Sequence, residues 1–172
     1  MAQKELKNNE VGELVKFLTF FVGKEIYGIP VEKVKEAVEY TKVFKIPRCG
    51  TYIRGVINLR GDVIPVIDLG MRFYEQPLDI TINSSIIFVE MMTRTGLSLI
   101  GVMIDQVDSV LDISEKEMSQ VPDFGIKIRP DFIKKIGKSE EDFIILLDIN
   151  AILNIDELAE IDFNDDVDEN VQ

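Results

Sequence analysis

Hydrophobic residues along this chain come in short runs broken by Gly, Pro, Asn and Asp rather than in long stripes. Runs rich in Ile, Val and Phe at residues 15–22, 25–29, 55–59, 63–67, 84–90, 97–104 and 143–147 have strand length and predict β-strands. One stretch reads differently: between residues 31 and 38 the apolar Val31, Val34 and Val38 stand three and four apart, the spacing of a short amphipathic helix. Residues 149–158 offer a second helical segment near the C-terminus. The expected class is therefore mainly β with short helices.

The two halves of the chain can be laid on each other. Residues 28–34 (GIPVEKV) match residues 101–107 (GVMIDQV) at an offset of 73. Residues 53–69 match 133–149 at an offset of 80, with Ile53/Ile133, Asp62/Asp142, Ile64/Ile144 and Asp68/Asp148 identical. Pro47 and Pro122 also correspond once two residues are inserted. One unit of about five short strands used twice predicts two small, closed or nearly closed barrels, because closure hides strand edges that would otherwise pair with other chains. Each barrel alone buries little core, so the two are expected to share an interface whose groove is a natural docking surface. The expected organisation is an N-terminal stretch 1–14, a first barrel 15–80, a second barrel with a C-terminal helix 81–160, and a tail 161–172.

Charge sharpens this picture at one end. Of the net −12, eight acids and no bases fall between Asp156 and Gln172, which leaves twenty-three acids against nineteen bases in the body. The tail from about Ile161 reads as solvated and disordered. A mildly acidic body without a basic stripe lacks the surface that nucleic-acid binding requires. No run reaches the ~18 apolar residues of a spanning helix, and the polar start resembles no signal peptide, so a cytosolic protein without membrane insertion is expected. The single Cys49 cannot form an internal disulfide.

Catalytic chemistry finds little to use. There is no His, which removes Ser-His-Asp and Cys-His catalysis and imidazole metal sites; one Cys cannot build a thiolate zinc site. The glycines follow no phosphate-loop spacing. No cofactor or metal is expected, and an enzyme resting on carboxylates alone has no sequence support. Asp68 and Asp148 each precede a short helical segment and read as N-caps, with paired catalytic carboxylates as the competing reading.

Positions shared by both copies are explained by the fold, so a departure in one copy is where function can reside. Asn58-Leu59-Arg60-Gly61 in the first copy lies opposite Lys138-Ser139-Glu140-Glu141 in the second. Both are turns. The first sets Gly before Asp62 and holds an Arg beside an Asn; Arg, with five donors in a rigid fork, suits a protein contact, although a solvated turn Arg is also common.

Residues 52–69, YIRGVINLRGDVIPVIDL, closely resemble the signature of the CheW family, the coupling proteins of bacterial chemotaxis, and of related domains in the kinase CheA and in CheV. Residues 17–20 with 27–29 and 34–37 resemble the family's first segment, and residues 101–111 its second-half hairpin; the likeness spans about 15–158. It implies two SH3-like five-stranded barrels in tandem and a non-enzymatic adaptor, monomeric alone and a member of an array in complex. The implied partners are the regulatory domain of CheA and the cytoplasmic tips of membrane chemoreceptors. By the same resemblance Val34, Gly55 and Val110 match receptor-contacting positions, with core packing the competing reading for the two valines and a backbone constraint for Gly55. Glu36 and Arg60 match a charged pair linked to kinase control, able to bind partners or each other, and Asn58 shares their turn. The loop with Pro122, Asp123 and Phe124 resembles a second kinase contact, anchored by Phe124. Competing readings are a regulatory fragment of a CheA or CheV protein, or a generic SH3-like peptide-binding module.

Overall fold

The computed structural model describes residues 12–122 and 126–158 of the chain. Among these, eleven strands form two sheets. In chain order the strands are β1 (Leu14–Val22), β2 (Glu25–Pro30), β3 (Val34–Glu39), β4 (Ile53–Leu59), β5 (Asp62–Asp68), β6 (Ser85–Thr93), β7 (Gly96–Ile104), β8 (Gln106–Ser114), β9 (Met118–Ser119), β10 (Ile133–Ser139) and β11 (Asp142–Leu147). Three short helices accompany them: α1 (Leu69–Tyr74), α2 (Ile149–Ile152) and α3 (Ile155–Leu158). The mainly β class is as the sequence predicts.

The sheets are not divided where the sequence was expected to divide. One has the order β3-β6-β7-β5-β4 and the other β8-β1-β2-β11-β10-β9. The N-terminal hairpin β1–β2 therefore joins the strands of the second half, and β6–β7, which follow residue 80, join those of the first. The expected cut between residues 80 and 81 passes between sheets that exchange hairpins. The reason lies in the register: Gly28 of β2 pairs with Leu146 of β11, and Gly101 of β7 with Val66 of β5. These are the same two positions of the repeat, each satisfied by the opposite copy.

Both sheets curl. Six flat strands spaced by about 4.8 Å would hold β8 and β9 roughly 24 Å apart, yet the step from Ser114 to Met118 spans at most about 14 Å. In the five-stranded sheet the chain leaving β3 crosses to the far edge, where Phe44 and Val56 exchange backbone hydrogen bonds of 2.8 Å. Five strands per sheet holds for the first; the second gains the two-residue β9.

Residues 31–38 are not the expected helix. Val31–Lys33 make one 3-10 turn and Val34 begins β3. Within β3, Val34, Glu36 and Val38 are half-buried while Lys35, Ala37 and Glu39 face water, a period of two. The β-branched valines favour the extended chain, and β6 supplies its partner. Residues 149–158 are helical but broken, because the side chain of Asn154 accepts from Asp156 N at 3.0 Å and starts α3 afresh.

Repeat symmetry extends to irregularities. The register slips in β3 at Lys35 and in β8 at Asp108, positions equivalent at offset 73. It slips again in β4 at Arg54 and in β10 at Lys134, equivalent at offset 80. Each is a bulge, which bends a strand and re-aims its side chains. One apolar core runs through both sheets, including Phe20, Tyr27 and Ile29, then Ile67, Phe88 and Met103, and on to Phe132 and Ile152. The six-stranded sheet keeps only a small private cluster of Phe17, Ile113, Ile144 and Leu146.

Candidate protein-interaction site

The β4–β5 hairpin is closed by Arg60 and Gly61, whose φ values of 52° and 91° are both left-handed. This is the primed two-residue turn that matches strand twist. Asn58 fixes it: its Oδ1 accepts from Gly61 N at 2.9 Å. Glu140 repeats the left-handed φ, at 50°, in the equivalent β10–β11 turn, so the backbone is common and the side chains are not. Asn58, Arg60 and Gly61 all lie on the surface.

From this turn Arg60 reaches β3, where its Nη2 donates to Glu36 Oε2 at 3.0 Å. Its side chain remains 78% exposed, against 26% for Glu36. The other oxygen, Glu36 Oε1, is buried with no partner among the described residues. The Lys35 bulge sits between Val34 and Glu36 and is itself held to Glu90 at 3.2 Å. Of the two expectations for this charged pair, contact with partners or with each other, the structure shows the second: a contact between the β4–β5 turn and the bulged strand β3, with Arg60 open to water.

Of the three positions matched to receptor contact, Val34 is half-buried at the start of β3 and packs on the core. Val110 is 54% exposed on β8, opposite the buried Leu18. Gly55 is buried in β4, with φ 150°; a Cβ there would lie 2.2 Å from the carbonyl oxygen of Phe44. Its role in the structure is to let the Phe44 segment cross the strand. Val34 and Gly55 belong to one sheet and Val110 to the other, so a partner touching all three straddles both. Phe124 and Asp123 lie outside the described residues; Pro122 borders a groove of about 1240 Å³ between the two halves.

Asp68 and Asp148 are caps. Asp68 Oδ1 accepts from the amides of Gly70 and Met71 at 2.8 and 3.2 Å, and Asp148 Oδ1 from Asn150 and Ala151 at 3.1 and 3.3 Å. Asp68 also holds Arg54 at 2.6 Å and the amide of Leu78 at 3.1 Å, so its lone pairs are taken by the scaffold. Among the described residues no group of acids, Cys or His could hold a metal ion.

A buried cation escaped the sequence reading. Arg72 of α1 lies between the rings of Tyr52 and Phe132, 4.7 Å from each centroid. It donates to the carbonyl of Ile152 at 2.9 Å and to Glu157 at 2.7 Å, tying the first copy to the C-terminal helices. Arg129 holds Glu157 from the other side at 2.7 Å. Between Arg129 and Arg72 the Glu157 carboxyl is held down to about 2, and Arg129 also keeps Asp131 below its ordinary range. A signal did exist: at the offset of 80 Arg72 lies opposite Ile152, the same kind of contrast that singled out Arg60.

Residues 16–157 match the family model described as CheW-like domain. The chain belongs to the CheW-like family. It is 32% identical to the chemotaxis protein CheW of Klebsiella aerogenes over 92% of both chains. To the CheW of Bacillus subtilis it is 32% identical, over 87% of this chain and 90% of that one. The crystal structure of the scaffolding protein TtCheW from Thermoanaerobacter tengcongensis superposes with a TM-score of 0.73 at 30% identity, covering 84% of this chain and 91% of that one. The CheW-like match spans both sheets and takes in the Arg60 hairpin, β3 and the Arg72 cluster. Among the described residues no helix is long and apolar enough to cross a membrane.

Proposed function

We propose that this chain is a non-enzymatic adaptor that couples the cytoplasmic tips of chemoreceptors to the regulatory domain of the histidine kinase CheA. It works in the cytoplasm, joining membrane arrays through its partners. The observation that carries this reading is the Arg60 turn: a guanidinium held out on a rigid hairpin, resting on Glu36 but more than three-quarters exposed. A group so placed contributes little to folding, because exposed ion pairs are worth about 0–1 kcal/mol. It retains free donors for a carboxylate on another protein.

In this mechanism contact replaces chemistry. Apolar positions supply affinity, with Val34 and Val110 toward the receptor and Phe124 toward the kinase, while Glu36, Asn58 and Arg60 set register. Gly55 keeps the surface beside Phe44 in shape. A shift in receptor packing then reaches the kinase as a change in which assembled state is favoured.

Co-purification of CheA and receptor-tip fragments with the chain tests this. The wild type should retain both. Phe124→Ala should lose kinase while retaining receptor, and Val110→Asp the reverse. Retention of both partners by both variants would contradict the assignment.

A further inference from the structure

Residues 40–61 contain five of the nineteen bases of this chain and none of its thirty-one acids. Arg54 and Arg60 are committed to Asp68 and Glu36. Lys42 and Lys45 are exposed and form no ion pair among the described residues. Beside them Phe44 and Ile46 are 54% and 42% exposed. Lys42 Nζ lies 5.2 Å from the centroid of the Phe44 ring, so base and ring share one outward face, whereas Val43 between them packs on the core. The result is a small basic and apolar patch on a protein whose net charge is −12.

The backbone of this patch is an open sheet edge. Phe44 exchanges both of its backbone hydrogen bonds with Val56 of β4, each at 2.8 Å. In an extended chain the amides and carbonyls on either side, those of Val43 and Lys45, point away from β4. Among the described residues they have no backbone partner. The segment is also held in place, because Tyr40 N donates to the carbonyl of Ser84 at 2.8 Å and Val43 is anchored in the core, so little ordering is left for a bound partner to impose. Lysines on an edge ordinarily keep other strands away from it. That purpose does not account for Phe44 and Ile46, which present apolar surface on the same edge and favour being covered.

We infer that residues 43–46 receive an extended, acidic segment of a partner protein by strand addition. Its backbone bonds to Val43 and Lys45, its apolar side chains cover Phe44 and Ile46, and its carboxylates meet Lys42 and Lys45. Charge selects this occupant. Two copies of the chain meeting edge to edge would set these lysines against the same lysines. A phosphate surface, lipid or nucleic acid, extends beyond the patch and would meet the excess of acids on the rest of the body. A short acidic segment meets only the bases. This contact uses neither Arg60 nor Glu36 and does not rest on the adaptor reading.

The probe is a short, end-blocked peptide of alternating Glu and Val, titrated into the full-length chain and followed by amide shifts and hydrogen exchange. The amides of Val43 and Lys45 should shift and exchange several-fold more slowly with the peptide bound, and binding should weaken as salt is raised. Lys42→Glu combined with Lys45→Glu should weaken binding at least about tenfold. Phe44→Ser should weaken it several-fold, and the melting curves should stay in place because these side chains are exposed. A peptide of alternating Lys and Val should not bind. Unmoved amides at Val43 and Lys45, equal binding of the Lys peptide, or unchanged affinity in both variants would overturn the inference. So would the same shifts from phosphatidylglycerol vesicles alone, which would assign the edge to a lipid surface, or protection without peptide that fades on dilution, which would assign it to a second copy. Neither CheA nor a receptor takes part, so failure here leaves the adaptor reading untouched.

Discussion

A methyl group added at Gly55 would sit 2.2 Å from the Phe44 carbonyl oxygen and 2.8 Å from its carbon, so Gly55→Ala must push backbone against backbone. The expected cost is roughly 1–3 kcal/mol, read by urea denaturation. Any loss of receptor binding in that variant should accompany a displaced Phe44 segment, visible in its amide shifts. Arg72 makes the opposite kind of contribution, through its side chain. Arg72→Met keeps the packing between Tyr52 and Phe132 but leaves the carbonyl of Ile152 without its donor, for an expected loss of about 2–3 kcal/mol. At this scale the sequence was legible where the copies differ on the surface, as at Arg60. At Gly55 a backbone constraint is one of two readings the sequence offers, and only the crossing of the Phe44 segment shows what imposes it.

Elements were recognised where apolar runs are dense and missed where a strand shows water one face. β8 (Gln106–Ser114) and β10 (Ile133–Ser139) intersperse Asp, Ser and Lys among their apolar residues and lack the continuous apolar run of β6. β3 carries a helix-like spacing in its sequence because Val31 packs on the core from a 3-10 turn, placing a third valine out of strand phase. The C-terminal helices bring a pH dependence of their own. Glu157 is held at about 2, below its ordinary 4.5, by Arg129 and Arg72. A carboxyl depressed on folding adds stability that is fully present above about pH 4.5 and is lost as the pH falls toward about 2. The wild type should therefore be more stable than Glu157→Gln at neutral pH, and the difference should shrink across that window. A constant difference from neutral pH down to about 2 would show that the ion pairs do not hold α3.

Exchange of hairpins between the two copies decides how the whole molecule behaves. The duplication itself was visible in the offsets of 73 and 80, down to bulges that fall at equivalent residues. Which copy pairs with which was not, because Gly28 and Gly101 stand in like surroundings and local pattern cannot choose between Leu146 and Val66. Chains 1–80 and 81–172 should each lack a stable fold alone by circular dichroism and regain it when mixed, since each leaves strands without partners. Two independently folded halves would contradict the exchange. The proposed adaptor role requires the Arg60 turn to be a grip for other proteins and not a brace for this one. The direct measurement is CheA kinase activation in a receptor-containing assembly, taken beside the thermal melt, for Arg60→Glu. Activation should fall at least about tenfold, the effect of losing roughly 1.4 kcal/mol at a protein contact, while stability changes by no more than about 1 kcal/mol. Full activation, or a loss of activation matched by a collapsed melt, would contradict it.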